Sequence, residues 1–208
     1  MTSFFKQART NVHISTHAVL GSNMRDEAGA GQEVIYLAAG CFWGVEKALW
    51  NARGVVTTAT GYMGGHSPNP TYEQVCSHAT GHAETVRVVF DTALTSAADL
   101  VRLFFEIHDP TQVGGQGNDI GDQYRSQIWT TTPEQLRDAT ALRAAYQEVL
   151  TERGFGPIQT VVSPAPDAAS NARFWYAEDY HQQYLFKNPG GYECHARTGI
   201  ACPALPHE

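Results

Sequence analysis

The pattern of apolar and polar positions divides this chain into short elements. Val34-Ile35-Tyr36-Leu37-Ala38-Ala39 is an apolar run closed by Gly40, which predicts a buried strand leaving a sheet. Phe42, Val45, Leu49 and Trp50 then recur at helical spacing, with Glu46 and Lys47 expected on the outer face and Arg53-Gly54 ending the helix. β-Branched residues from Val55 to Thr60 predict a second strand. Gly61 to Tyr72 is rich in glycine and proline and reads as a long loop, of a kind that often carries function. Glu73 to Ser77 fits one helical turn, and Thr85 to Phe90 alternates as a strand with Glu84 at its mouth.

Leu100, Val101, Phe104, Phe105 and Ile107 mark a helix that Ser96 can cap and that stops near His108-Asp109-Pro110. Thr111 to Arg125 lacks periodicity and reads as a second long loop, followed by a short strand from Ser126 to Thr131. Thr132-Pro133-Glu134 opens a helix that runs to about Arg153, with Leu136, Ala139, Leu142, Arg143, Tyr146, Val149 and Leu150 expected on its inner stripe. Ile158 to Val162 predicts a further strand, and the aromatic-dense stretch from Phe174 to Leu185 a short helix. Strands and helices mix without a strict βαβ alternation, so an α+β sandwich is expected.

At 208 residues the chain suits one packed domain. Residues 1–33 read as an irregular arm, to which no chemistry is assigned although it holds His13 and His17. Residues 34–187 form the expected catalytic domain, and 188–208 a mobile tail rich in glycine and proline that carries Cys194 and Cys202. The net charge is −7, from 14 basic and 21 acidic side chains, and no basic stripe interrupts it, which argues against nucleic acid as a partner. No apolar run approaches the roughly 20 residues of a membrane span. No apolar block of signal-peptide length follows the first residues, so a cytoplasmic location is expected. Four cysteines, at positions 41, 76, 194 and 202, are too few and too unevenly spaced for a disulfide scaffold. In a reducing compartment such cysteines are buried, metal-bound or catalytic.

Cys41 falls at the turn from the first strand to the first helix. Free backbone N–H groups there favour an anion, so its thiol is expected to ionise more easily. A thiolate in that place could be an acyl-transfer nucleophile with a histidine base, a metal ligand, or a centre that cycles through oxidation. His66, His78, His82, His108 and His181 are candidate bases, but none forms a local signature with Cys41. A zinc site built on Cys194-His195 and Cys202 would lack the usual two close ligand pairs. The redox reading fits the tail, because a flexible segment can bring a second thiol within disulfide reach and later present the disulfide to a reductant.

Several motifs then converge on one family. Gly40-Cys41-Phe42-Trp43-Gly44, Gly61-Tyr62-Met63-Gly64-Gly65, the run from Asn69 to Cys76, Gly81-His82-Ala83-Glu84, His108-Asp109-Pro110, the run from Gly117 to Ser126 and the run from Ala177 to Leu185 together resemble the peptide methionine sulfoxide reductase A family, in family order. The resemblance covers residues 34 to about 192. It implies an α+β two-layer sandwich with a mixed or antiparallel sheet and a ferredoxin-like core. It also implies reduction of L-methionine (S)-S-oxide, in proteins and free, to methionine, as repair of oxidative damage. Cys41 is the implied nucleophile at the sulfoxide sulfur and Glu84 the acid that protonates the oxygen. For that work Glu84 must be protonated at rest, which a desolvated site would provide. Phe42 and Trp43 are implied to hold the S-methyl group, Tyr72 and Tyr124 to donate hydrogen bonds to the oxygen, and Asp119 to support the site. Cys194, then Cys202, is implied to resolve the oxidised Cys41. Thioredoxin is the implied external reductant, with no bound cofactor and no metal, and a monomer is expected. The tail departs from relatives with two recycling cysteines: Glu193 intervenes between Gly191-Tyr192 and Cys194, and the spacer from His195 to Ala201 has a single glycine.

Overall fold

The computed structural model describes residues 16–205. Eight strands and five helices follow in the order β1 (Gln32–Ala39), α1 (Phe42–Trp50), β2 (Val55–Met63), α2 (Tyr72–Cys76), β3 (Ala83–Asp91), α3 (Ala97–Glu106), β4 (Gly115–Gln116), β5 (Asp119–Ile120), β6 (Ser126–Thr130), α4 (Pro133–Glu152), β7 (Val161–Pro164), β8 (Trp175–Tyr176) and α5 (Tyr184–Lys187). Six strands make one sheet in the order β7-β6-β1-β3-β2-β8. Every pairing in it is antiparallel except β6 with β7, so the sheet is mixed and the fold is an α+β two-layer sandwich. No helix among the described residues is long and apolar enough to cross a membrane.

The two faces of the sheet are covered differently. Ile35, Leu37, Val86, Val88 and Phe90 point toward Leu49 of α1, Phe104 and Phe105 of α3 and Leu142 and Tyr146 of α4, forming the main core. On the opposite face Ala38, Met63, Ala83 and Trp129 are covered by chain without helix, including Phe174 and Ala165. This double cover is why β3, whose alternation suggested one wet face, is buried from Ala83 to Phe90. Glu84 accordingly lies inside the strand, opposite Tyr62 of β2, and not at an open mouth.

Hydrogen-bonded caps set the helices as the sequence indicates. Ser96 and Asp99 form a capping box on α3, and Thr132 accepts from Gln135 N–H ahead of Pro133 in α4. Elsewhere the sequence reading needs correction. Gly61, Tyr62 and Met63 extend β2, because their backbone pairs with β3 and β8 on either side. The second long loop contains the β4–β5 hairpin and a 3-10 turn over Asp122–Tyr124. Ile158 is not in a strand: α4 side chains hold its backbone, Gln147 accepting its N–H and Arg143 donating to its carbonyl. The sheet strand starts only at Val161.

Phe174 to Leu185 is not a helix either. Gln182 caps the β2 backbone with its side chain, accepting from Thr60 N–H and donating to Thr60 O, each at 2.9 Å. The segment therefore gives up its own helical bonds to finish a sheet edge, and only Tyr184–Lys187 closes a helical turn. Composition suggested a mobile tail, yet Tyr146 Oη donates to Ile200 O, Glu106 accepts Cys202 N–H, and Ile200 and Leu205 pack against the main core.

Candidate active site

Cys41 stands at the N-cap of α1, directly after β1. The turn needs Gly40: its φ is +90°, and a Cβ there would come within 2.7 Å of Gln116 Cβ. Cys41 makes no side-chain cap, so the first N–H groups of α1 remain available to other acceptors. Phe42 N–H donates to Glu84 Oε2 at 2.9 Å, and Trp43 N–H is directed at the Cys41 sulfur. The helix terminus thus pulls toward the thiolate, as the sequence led one to expect. Burial outweighs it: with only 8% of its surface exposed, Cys41 is held well above the ordinary thiol range, first by desolvation and then by the negative charge of Glu84. The resting side chain is a neutral thiol, where the sequence led one to expect an easily ionised one.

Glu84 shows the same physics with a useful outcome. Desolvation pushes its carboxyl up to about 8, opposed by the Phe42 N–H and assisted by the charge of Asp119. At neutral pH it holds a proton within the neighbourhood of Cys41.

Aromatic rings form the wall beside these two groups. Phe42 is fully buried against Tyr62 and His181, with ring centres 5.9 and 5.0 Å away. Trp43 is half-buried, stacked on Tyr184 at 3.8 Å, and its Nε1–H donates to His181 Nδ1 at 3.0 Å. Burial lowers His181 to about 4, so its ring is neutral and can accept that bond. Glu178 accepts from Tyr62 Oη at 2.8 Å and from Tyr72 N–H at 2.9 Å, fixing the start of α2. The Tyr72 ring lies 4.6 Å from His181. Tyr124 ends the 3-10 turn within reach of the charges of Glu84, Asp119 and Cys41. Desolvation keeps both phenols well above their ordinary range, so each retains an O–H to donate.

The tail completes the site on the opposite side of Cys41. Tyr192 Oη donates to both oxygens of Asp119, at 3.2 and 3.1 Å, and Lys47 of α1 pairs with Glu193 at 2.6 Å. Cys194 follows these two anchors directly, with its sulfur 3.6 Å from Gln116 O and against Gly117. Cys41 and Cys194 line one cleft with Gly44, Gln116 and Glu193. Both are free thiols.

Cys202 is not part of this group. It is 1% exposed, inside the main core, and burial followed by Glu106 pushes its thiol up to about 12. Glu106 takes its N–H at 2.9 Å and Arg102 donates to its carbonyl at 3.2 Å. The structure therefore brings together Cys41, Glu84, Phe42, Trp43, Tyr72, Tyr124, Asp119 and Cys194, and places Cys202 elsewhere. Among the described residues no histidine hydrogen-bonds Cys41, and no cluster of three or more His, Cys, Asp or Glu side chains converges as a metal site.

Several contributors were not read from the sequence. Glu178 and Tyr192 reach the site only through the fold, and nothing in their local spacing marks them. Glu46 was placed on the outer face of α1 but is completely buried. The signal was present: Glu46 is one turn beyond Phe42, so the two share a face.

A family model described as peptide methionine sulfoxide reductase matches residues 33–205. Among curated proteins, the peptide methionine sulfoxide reductase MsrA of Rhodospirillum centenum is 52% identical over 187 residues, covering 90% of this chain and 83% of the relative. Methionine sulfoxide reductase A of Corynebacterium diphtheriae superposes with a TM-score of 0.79 at 43% identity, covering 92% of this chain and 90% of that one. Reduced Mxr1 from Saccharomyces cerevisiae gives 0.70 at 34% identity, covering 81% and 92%. The same protein in complex with Trx2 gives 0.51 at 22% identity, covering 83% and 96%.

Proposed function

The chain belongs to the peptide methionine sulfoxide reductase family and is an oxidoreductase; on that premise we propose that Cys41 attacks the sulfur of L-methionine (S)-S-oxide, free or in proteins, while Glu84 protonates the departing oxygen. The observation that carries this reading is the shared helix terminus. Phe42 N–H faces the Glu84 carboxyl and Trp43 N–H faces the Cys41 sulfur, so consecutive amides serve the acid and the nucleophile.

The two groups start neutral. Glu84 gives its proton to the sulfoxide oxygen, and the carboxylate that forms keeps the Phe42 N–H and takes up the thiol proton of Cys41. The Trp43 N–H meets the charge that grows on sulfur as that proton leaves. Tyr72 and Tyr124, both protonated, donate to the oxygen, and Phe42 and Trp43 enclose the S-methyl group. Asp119, tied to Tyr192, supports the oxygen side. The oxygen passes to Cys41, giving a sulfenic acid and the thioether: the sulfoxide sulfur is reduced and the cysteine sulfur oxidised.

Cys194 then attacks the Cys41 sulfur, forming a disulfide and releasing the oxygen as water. A second exchange, in which Cys202 takes over Cys194 and frees Cys41, requires the segment 198–205 to leave its seat. The dithiol of thioredoxin reduces the resulting disulfide, a role in keeping with the complex of Mxr1 with Trx2. Substitution separates these steps. Cys41→Ser is expected to form no methionine. Cys194→Ser is expected to give about one methionine per enzyme in a single turnover and to stall with thioredoxin. Multiple turnover by Cys194→Ser at the wild-type rate would remove it as the obligatory resolving thiol.

A further inference from the structure

Beyond the cleft lies a second fully buried acid, wired to the arm that precedes the family match. Glu46 accepts from Gln183 N–H at 2.7 Å, from Gln183 Nε2 at 2.7 Å and from Thr58 Oγ1 at 3.0 Å. Thr58 has one proton, and it is committed to Glu46. The 2.8 Å contact between Thr58 Oγ1 and His17 Nε2 therefore has the imidazole as donor. His17 Nδ1 meanwhile accepts the N–H groups of Val19 and Leu20, at 3.2 and 3.1 Å, and so carries no proton. The ring is the neutral Nε2–H tautomer, in keeping with burial that lowers it to about 4. Donors run in one direction, from the arm backbone through His17 and Thr58 to Glu46.

On the far side, the acceptor holds a strained residue. Gln183 has φ +47°, a left-handed conformation rare for a residue with a side chain. It lies between His181, which accepts the Trp43 indole N–H, and Tyr184, which stacks on the same indole. Protonating Glu46 would reverse the chain: Thr58 would donate to His17 Nε2, and the ring would need a proton on Nδ1, facing two N–H groups. Lys187 is the charged group that acts on both Glu46 and His17.

We propose that His17 and Glu46 are positioning residues for the substrate wall, so that the arm, through Thr58 and Gln183, sets the orientation of His181, Tyr184 and the Trp43 indole. The inference rests on the reading of Trp43 as that wall.

Two substitutions at His17 separate the chain of bonds from simple folding of the turn. His17→Asn keeps an acceptor where Nδ1 lies but does not reach Thr58. His17→Gln reaches Thr58 with an N–H donor but lacks that acceptor. With a peptide methionine sulfoxide as substrate and dithiothreitol as reductant, H17N is expected to raise KM by about three- to tenfold, with a smaller change in the single-turnover rate. The same variant should move the Trp43 indole N–H resonance, assigned through Trp43→Phe. H17Q should restore both readouts. Thr58→Val, which removes the middle hydroxyl, carries the same expectation and serves if H17N does not fold. An unchanged KM and resonance in H17N and Thr58→Val would overturn the proposal. Equal impairment of H17N and H17Q would overturn it too, since the ring would then act only on its own turn. If Trp43→Phe leaves KM unchanged while H17N still moves the resonance, the positioning stands and the reading of Trp43 as substrate wall fails.

Discussion

Glu84, on β3 against the start of α1, and Glu46, within α1, are both buried carboxyls, and they are furnished in opposite ways. Glu84 has a single backbone donor, from Phe42, and desolvation pushes it up to about 8. Glu46 has three donors, and these pull back against the same desolvation, leaving it at about 7. With burial equal, the number of donors sets how far each carboxyl is pulled back toward its ionised form. One acid is left poor in partners and can act on a substrate; the other is saturated and can only fasten its neighbours.

The largest expected effect breaks the pair apart by rate. Glu84→Gln should slow oxygen transfer, measured by rapid quench in a single turnover, by about 100- to 1,000-fold while the fold is kept. An unchanged rate would remove Glu84 as the acid. Glu46→Gln should do the reverse. Oxygen transfer should fall only a few-fold, while urea denaturation shows a loss of about 1–3 kcal/mol, because an amide presents a donor to groups that are themselves donors. If Glu46→Gln were as stable as wild type, the three bonds would not be holding a charge.

A third effect is one of pH. Each carboxyl binds its proton more tightly folded than unfolded, so above the ordinary value of 4.5 the native state holds more protons and stability falls as pH rises through the folded value. Glu84→Gln removes that penalty. Its melting temperature should gain on wild type between about pH 5 and about pH 9, and a constant difference across that range would mean that Glu84 does not titrate high.

Much of this arrangement was legible in the residues. The apolar runs and caps located β1, α1, α3 and α4, and the motifs named the groups that gather around Cys41. What escaped had a common cause: side chains that substitute for backbone. Gln182 finishes β2, Gln147 and Arg143 hold Ile158, and Glu178 starts α2, so segments that pattern as helix or strand are neither. The ionisation of Cys41 was misjudged for a related reason. A helix terminus is visible in sequence, whereas the burial that outweighs it depends on chain brought from far away, including the tail beside Cys194.

The seat of the tail has an energetic reading as well. Cys202 is held by Glu106 and Arg102 with Ile200 and Leu205 in the core, and any disulfide that recruits it must first give up that docking. The free energy of docking then belongs to the reduced state alone. It enters the reduction potential with a definite sign: each 1.4 kcal/mol of seating lost makes the disulfide about 30 mV more oxidising. For a disulfide that recruits Cys202, the packing of the tail would thus set how readily an electron donor reduces it, and substitutions in α3 or α4 that touch no cysteine would retune it.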